Sequence, residues 1–265
     1  SNHPSACEDF NTLNFGGRRE DGTTPYRLGD QDLSLFFGQS SFSQYVVTRA
    51  SNAVVVDPEV DLTLLGPLGC GIQTGSGTVL NRLKPVVGES LVVFGCGAVG
   101  LSAIMAAKLT GCSQIIAVDI HASRLALAGE LGATHQINGK EQDAVAVIKQ
   151  ITGKGAHYAV ETTGVSAIVL QAVHAVKPLG TVAIVGFTGD ITLNVQNDLM
   201  AEGKSLVGVI EGDAVPALFI PLLVQLYKQG KFPIDKLIAR YPLADINQAF
   251  ADSASGKVIK PVVVM

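Results

Sequence analysis

Between residues 90 and 210 the apolar positions fall into short unbroken runs, separated by stretches of about ten residues with helical spacing. LVVF at 91–94 and QIIAVD at 114–119 show no polar/apolar alternation, the pattern of strands buried on both faces. Helical stretches follow at 101–109 and 122–131, the second closed by Gly132. The alternation repeats, with strands at 134–137, 157–161, 181–186 and 206–210 and helices at 143–151 and 167–176. Six parallel strands covered on both sides follow from this, and right-handed crossovers make them a doubly wound α/β sheet.

Outside that block the texture differs. Residues 1–44 are rich in Gly, Asn, Asp, Thr and Ser and read as loops with short strands. The β-branched stretch YVVTRASNAVVV at 45–56 predicts two strands or one bent one. Pro58 and Asp61 open a helical segment toward Leu68, a site with GPLGCGIQTG at 66–75. Beyond residue 210 the pattern gives helices at 216–229 and 243–253 and a strand at 257–265. This tail does not continue the six-strand count, so it is expected to return to a second domain. The expected division is 1–71, 72–210 and 211–265.

The first strand of the block runs into Gly95-Cys96-Gly97-Ala98-Val99-Gly100, a G-x-G-x-x-G pattern that opens a helix. Asp119, at the end of the next strand, follows Gly100 by 19 residues. Strand, glycine turn, helix and acid in that order form a dinucleotide-binding fingerprint. Gly95 allows the tight turn, Gly97 the approach of a pyrophosphate, and Gly100 close packing of helix on strand. The helix N-terminus, from Ala98 and Val99 onward, offers unpaired N–H groups to phosphate. Asp119 can accept from ribose hydroxyls and would repel a 2′-phosphate, which favours NAD over NADP. Arg124, one turn along the next helix, can reach the adenosine ribose or its phosphate, or can be a solvated helix charge.

Charge and composition narrow the partners. The net charge is −4 over 265 residues and no basic block occurs, which argues against nucleic acid or an anionic membrane surface. The apolar runs fall short of the roughly 20 residues of a membrane span, and no signal peptide is visible. Four cysteines without a C-x-x-C pair suit a reduced, cytoplasmic protein. Taken alone, Cys70 would be read as a small buried side chain.

The stretch VVFGCGAVGLSAIMAAKLTGCSQIIAVDI, preceded by GPLGCGIQTGSGTVL, resembles the zinc-dependent alcohol dehydrogenases of the medium-chain family, as does FFGQSSFSQYVVTRAS at 36–51. The resemblance runs from Cys7 to the C-terminus, and Glu211-Gly212-Asp213 leans it toward the aryl-alcohol (benzyl-alcohol) members. It implies a Rossmann domain plus a mostly-β, GroES-like catalytic domain, NAD and zinc as cofactors, a small alcohol or aldehyde as substrate, and a homodimer or homotetramer with 193–210 as candidate interface. Cys70 matches a ligand of the catalytic zinc, and Cys7 the last cysteine of the structural zinc lobe. Thr74, Ile120, Thr162, Val185, Gly186, Val209 and Lys260 match cofactor-contacting positions. Phe36 and Phe37 fall on the substrate-pocket stretch, where aromatic walls would suit an aryl alcohol.

A catalytic zinc in this family takes two cysteines and a histidine and keeps one position open. The matching first cysteine, zinc histidine, proton relay and three further structural cysteines are not found in the sequence, and none of the five histidines is spaced as a partner to Cys70. The expectation is therefore an incomplete β-domain with unpaired strand edges, and no turnover by this chain alone. The rival readings are a cofactor-binding module without chemistry and a zinc-free quinone or enone reductase. The second is disfavoured by the presence of Cys70 and Asp119.

Overall fold

The computed structural model describes residues 3–38 and 42–265. Residues 39–41, within the resembling stretch at 36–51, lie outside the described residues.

Six strands, β3 (Ser90–Phe94), β4 (Gln114–Asp119), β5 (His135–Asn138), β6 (Ala156–Glu161), β7 (Val176–Ile184) and β8 (Ser205–Gly208), form one sheet. They lie in the order β5-β4-β3-β6-β7-β8, every pair parallel. Helices α3 (Ala98–Thr110), α4 (Ala122–Leu131), α5 (Ala144–Thr152) and α6 (Ser166–Ala175) make the crossovers. The unbroken apolar runs are explained by burial on both faces. Along β3, Val92 and Phe94 join Ile116, Ile148 and Val173 on one side. Leu91 and Val93 join Leu101, Ile104 and Leu223 on the other. Successive side chains on a strand point to opposite faces, so each apolar residue of β3 enters one core or the other.

The strand order places β3 and β6 beside each other at the centre, with connections leaving in opposite directions. The crevice at their carboxyl ends is where such sheets bind ligands. Pairing between β6 and β7 is irregular near Ala156 and Tyr158, and Leu179 has a φ of 64° before the ladder resumes at Thr181.

The other elements are smaller. Near the N-terminus stand α1 (Phe10–Phe15) and a hairpin of β1 (Arg27–Leu28) and β2 (Gln31–Asp32). The helix α2 (Gly71–Gly77), continued by a π-helical segment Thr78–Leu83, is buried along its whole length. After β8 come α7 (Pro216–Lys228), β9 (Ile238–Pro242), α8 (Ile246–Ala254) and β10 (Lys260–Val264). β10 pairs parallel with β9 and does not join the large sheet. No helix among the described residues is long and apolar enough to cross a membrane.

One expectation is corrected. Residues 45–56 hold no strand; a 3-10 turn at Ala50–Asn52 interrupts them. Tyr45, Val47 and Val55 are 89%, 88% and 92% exposed. β propensity reports fit to a paired, half-buried surface, and without a partner the same residues stay irregular. The sequence pattern also missed α2 and β9. Three glycines hide α2 from a propensity reading, and IARYP lacks a clear alternation.

Candidate functional site: a dinucleotide cradle and the seam beside it

At the end of β3 the chain turns through Gly95, whose φ is 93°. Its N–H donates to Val118 O at 2.8 Å, tying the turn to β4. A side chain here would lie 2.6 Å from Thr162 Oγ1. That hydroxyl donates to Phe94 O (2.9 Å) and Gly95 O (3.1 Å), so Thr162 closes the turn from the β6 side. Gly100 is held by packing, since a Cβ would sit 1.8 Å from Gly95 O.

Gly97 is different. Nothing lies within 4 Å of the Cβ it lacks, although it caps α3 between these crowded glycines. Internal packing does not require glycine there, but close approach of a ligand would. No side chain caps the helix N-terminus and no acid stands in its first turn, so the N–H groups around Ala98 and Val99 are left to a ligand. These observations fit the pyrophosphate of a dinucleotide.

Asp119 is 8% exposed and more committed than its sequence position suggests. Its Oδ2 accepts from the Cys96 N–H at 2.7 Å, and its Oδ1 from Ile120 N–H (2.7 Å) and His121 N–H (2.9 Å). A carboxylate has about four lone-pair positions, so roughly one remains for a ribose hydroxyl. Asp119 therefore also holds the glycine turn in place. Arg124, half-buried nearby, has an Nε with no hydrogen-bond partner, and its Nη2 lies 2.9 Å from where a Cβ on Gly256 would stand. Cys96 is fully buried, and burial, followed by the Asp119 charge, pushes its thiol far up.

On the other side of the crevice, Val185, Gly186 and Val209 line a cavity of about 550 Å³ with Phe187, Ile191 and Ile210. The turn holding its floor is pinned by Glu161, a fully buried carboxylate that accepts from Thr163 N–H (2.7 Å), Gly164 N–H (3.2 Å) and the Thr163 hydroxyl. Gly186 is a glycine because a Cβ would meet Gly164 N at 2.3 Å. Phe187, 92% exposed, stands edge-on to Phe15 of α1 with 6.3 Å between centroids. Phe15 in turn packs on Phe36 (5.6 Å) and Phe37 (5.2 Å), which pack on each other at 4.8 Å. The two expected pocket residues are thus joined to the cavity through Phe15 and Phe187, which the sequence reading missed.

Cys70 caps α2. Its thiol is raised by burial, then by the charge of Glu211 and a hydrogen bond with it, while Lys260 at the start of β10 works the other way. Thr74, one turn along, donates through Oγ1 to Glu211 Oε2 at 3.4 Å. The fold thus brings Cys70, Thr74, Lys260 and Glu211 together. Cys7 is exposed and far from completing a site. Among the described residues no three His, Cys, Asp or Glu side chains converge. The donors beside Cys70 do not amount to a zinc site among the described residues. The four cysteines are all unpaired.

The β5-β4-β3-β6-β7-β8 parallel sheet with a glycine turn, an uncapped helix N-terminus and an acid on the neighbouring strand is the arrangement of the dinucleotide-binding α/β fold. Comparison with known proteins carries this to a family. The zinc-binding dehydrogenase family model matches residues 98–228. Geraniol dehydrogenase of Castellaniella defragrans is 43% identical over 99% of this chain and 72% of its own length. Benzyl alcohol dehydrogenase from Acinetobacter calcoaceticus superposes with a TM-score of 0.91 at 48% identity, covering 98% of this chain and 72% of that one. An alcohol dehydrogenase zinc-binding domain protein from Burkholderia ambifaria gives 0.94 at 49% identity, over 100% and 72%. The chain belongs to the medium-chain zinc-type alcohol dehydrogenase family.

Proposed function

We propose that the protein oxidises a primary alcohol bearing an apolar, aryl-type group to the aldehyde, with NAD as hydride acceptor and the hydroxyl proton released to solvent. The observation that supports this most is the continuity of the cavity at Val185, Gly186 and Val209 with the aromatic set Phe187, Phe15, Phe36 and Phe37. Bound NAD would supply the electrophilic nicotinamide that takes the hydride. The chain's own residues bind and orient it. Gly95, Gly97, Ala98, Val99 and Gly100 seat the pyrophosphate, Asp119 with Ile120 and Arg124 the adenosine ribose, and Thr74, Thr162, Val185, Gly186, Val209 and Lys260 the remainder. The phenylalanine rings offer an apolar wall against which an aryl group can pack face or edge on.

Cys70 is proposed as one thiolate of a catalytic zinc, and Cys7 as one of a structural zinc, with the other donors not among the described residues. The division into 1–71, 72–210 and 211–265 is kept as part of this proposal. So is assembly through 193–210, which is supported by the open edge of β8 and the exposed Val195 and Met200. A reducing, cytoplasmic setting is supported by the unpaired cysteines.

The test is direct. The 265-residue chain should bind NADH at least about tenfold more tightly than NADPH, because a 2′-phosphate would meet the Asp119 charge. With NADH present, saturation-transfer NMR should detect benzaldehyde and not acetaldehyde. Equal affinity for the two dinucleotides sinks the cofactor assignment. Clean NAD-linked oxidation of benzyl alcohol by the metal-free chain sinks the role given to Cys70.

A further inference from the structure

Three successive residues after β8 are left-handed: Glu211, Gly212 and Asp213 have φ of 50°, 66° and 49°. Non-glycine residues hold that conformation only where their surroundings impose it. Here α2 imposes it. A Cβ on Gly212 would stand 2.4 Å from Gln73 O, and one on Gly77 would stand 2.4 Å from Gly212 O. Asn81 Nδ2 donates to Gly212 O at 3.0 Å, and Arg82 pairs with Asp213 at 3.4 Å.

The Glu211 side chain reaches the same helix. Its Oε2 accepts from Gln73 Nε2 at 3.0 Å as well as from Thr74 Oγ1. Gln73 is 2% exposed, and its Nε2 also donates to Gly69 O at 3.0 Å. Two acceptors therefore fix this buried amide, whose Oε1 has no donor. Beside the Asn81 and Arg82 contacts, Glu211 is the polar link to α2 itself, which Cys70 caps and which carries Thr74, from the loop whose Val209 and Ile210 line the cavity.

We propose that Glu211 is a positioning residue for the nicotinamide half of the dinucleotide. It sets the spacing between the 209–213 loop and α2, and with it the width of that end of the cavity. The inference rests on the NAD reading above. The adenosine half, held at the glycine turn and Asp119, does not depend on it. A merely structural role would weaken both halves alike.

The 265-residue chain is titrated with NADH and with ADP-ribose, which lacks the nicotinamide. Glu211→Asn keeps a residue at home in left-handed backbone and withdraws the reach, whereas Glu211→Gln keeps the reach. Glu211→Asn is expected to weaken NADH about tenfold, the scale of a lost hydrogen-bonded link, and ADP-ribose less than about twofold. Bound NADH fluorescence should move toward that of free NADH in Glu211→Asn and be restored in Glu211→Gln. Equal loss for both ligands, or no loss for either, overturns the proposal. If the unmodified chain binds neither ligand, the NAD reading itself fails and the proposal goes with it.

Discussion

The glycine turn at 95–100 and the stretch at 45–56 are both rich in signals for their expected structure, yet only the first adopts it. The glycine turn is satisfied by groups on the two strands that flank β3: Val118 O and Asp119 Oδ2 of β4, and Thr162 Oγ1 just past β6. Residues 45–56 are strand-formers whose backbone finds no ladder among the described residues, and Tyr45, Val47 and Val55 stay exposed. Both stretches need partners from elsewhere in the chain: the turn has them because its strand is paired on both sides, whereas 45–56 has no strand beside it among the described residues.

The sharpest way to break the comparison is to add single methyl groups. Gly100→Ala places a carbon 1.8 Å from Gly95 O, and Gly75→Ala one 1.9 Å from Val99 O, both against backbone that cannot give way. Each should cost about 2–4 kcal/mol by forcing the backbone apart, read as a lowered midpoint in urea. Gly97→Ala meets open space, so its unfolding free energy should stay within about 0.5 kcal/mol of the unmodified chain. It should nevertheless lose NADH affinity by about tenfold or more. A Gly97→Ala chain that binds NADH normally would remove the cradle assignment while leaving the fold intact.

These glycines also show how far the sequence was legible. The six strands of the large sheet and the helices between them were readable to within a few residues, except that β7 begins at Val176 and not near 181, because both faces are buried and the apolar runs are unbroken. The motif glycines and Asp119 were readable because fingerprint spacing follows from phosphate geometry. The seam was not. Glu211, Gln73 and Thr74 meet only because α2 packs on the loop after β8, and 137 residues separate Thr74 from Glu211. Phe187 was likewise invisible as a partner of Phe15 until the loop after β7 was placed beside α1.

A second comparison uses solvent. Amide exchange should be fast throughout 45–56, where ladder bonds are lacking, and slow in β3, flanked on both sides by β4 and β6. Limited proteolysis should cut within 45–56 first and leave 90–161 intact. Protection of 45–56 comparable with β3 would mean that a partner covers it in solution.

A smaller effect is expected at Asp119. Asp119→Asn keeps one acceptor oxygen for the Ile120 and His121 N–H groups but turns a donor toward the Cys96 N–H or the ribose. A loss of about 1–3 kcal/mol follows if that N–H is left unsatisfied. The preference for NADH over NADPH should shrink as the charge is removed. Unchanged selectivity would show that Asp119 serves the turn and not the ribose.

The smallest effect concerns the thiols, where the seam and the turn share one sign. Burial raises Cys70, Cys96 and Cys112 alike; the charge of Glu211 adds to the first and that of Asp119 to the second. A raised thiol keeps its proton in the folded chain at a pH where the unfolded chain has released it. The unfolded state then binds fewer protons, and stability falls as pH rises. The contribution is intact below the ordinary thiol range of roughly pH 8–9 and is lost above it. The urea midpoint should therefore decline through alkaline pH, and Cys70→Ser should flatten part of the decline. Cys70 is exposed, so access does not limit iodoacetamide there; its labelling, mapped by peptide mass, should be slow near neutral pH and rise as the solution becomes alkaline. Rapid labelling of Cys70 at neutral pH would mean that its thiolate is stabilised at the seam, and that Lys260 outweighs burial and Glu211 combined.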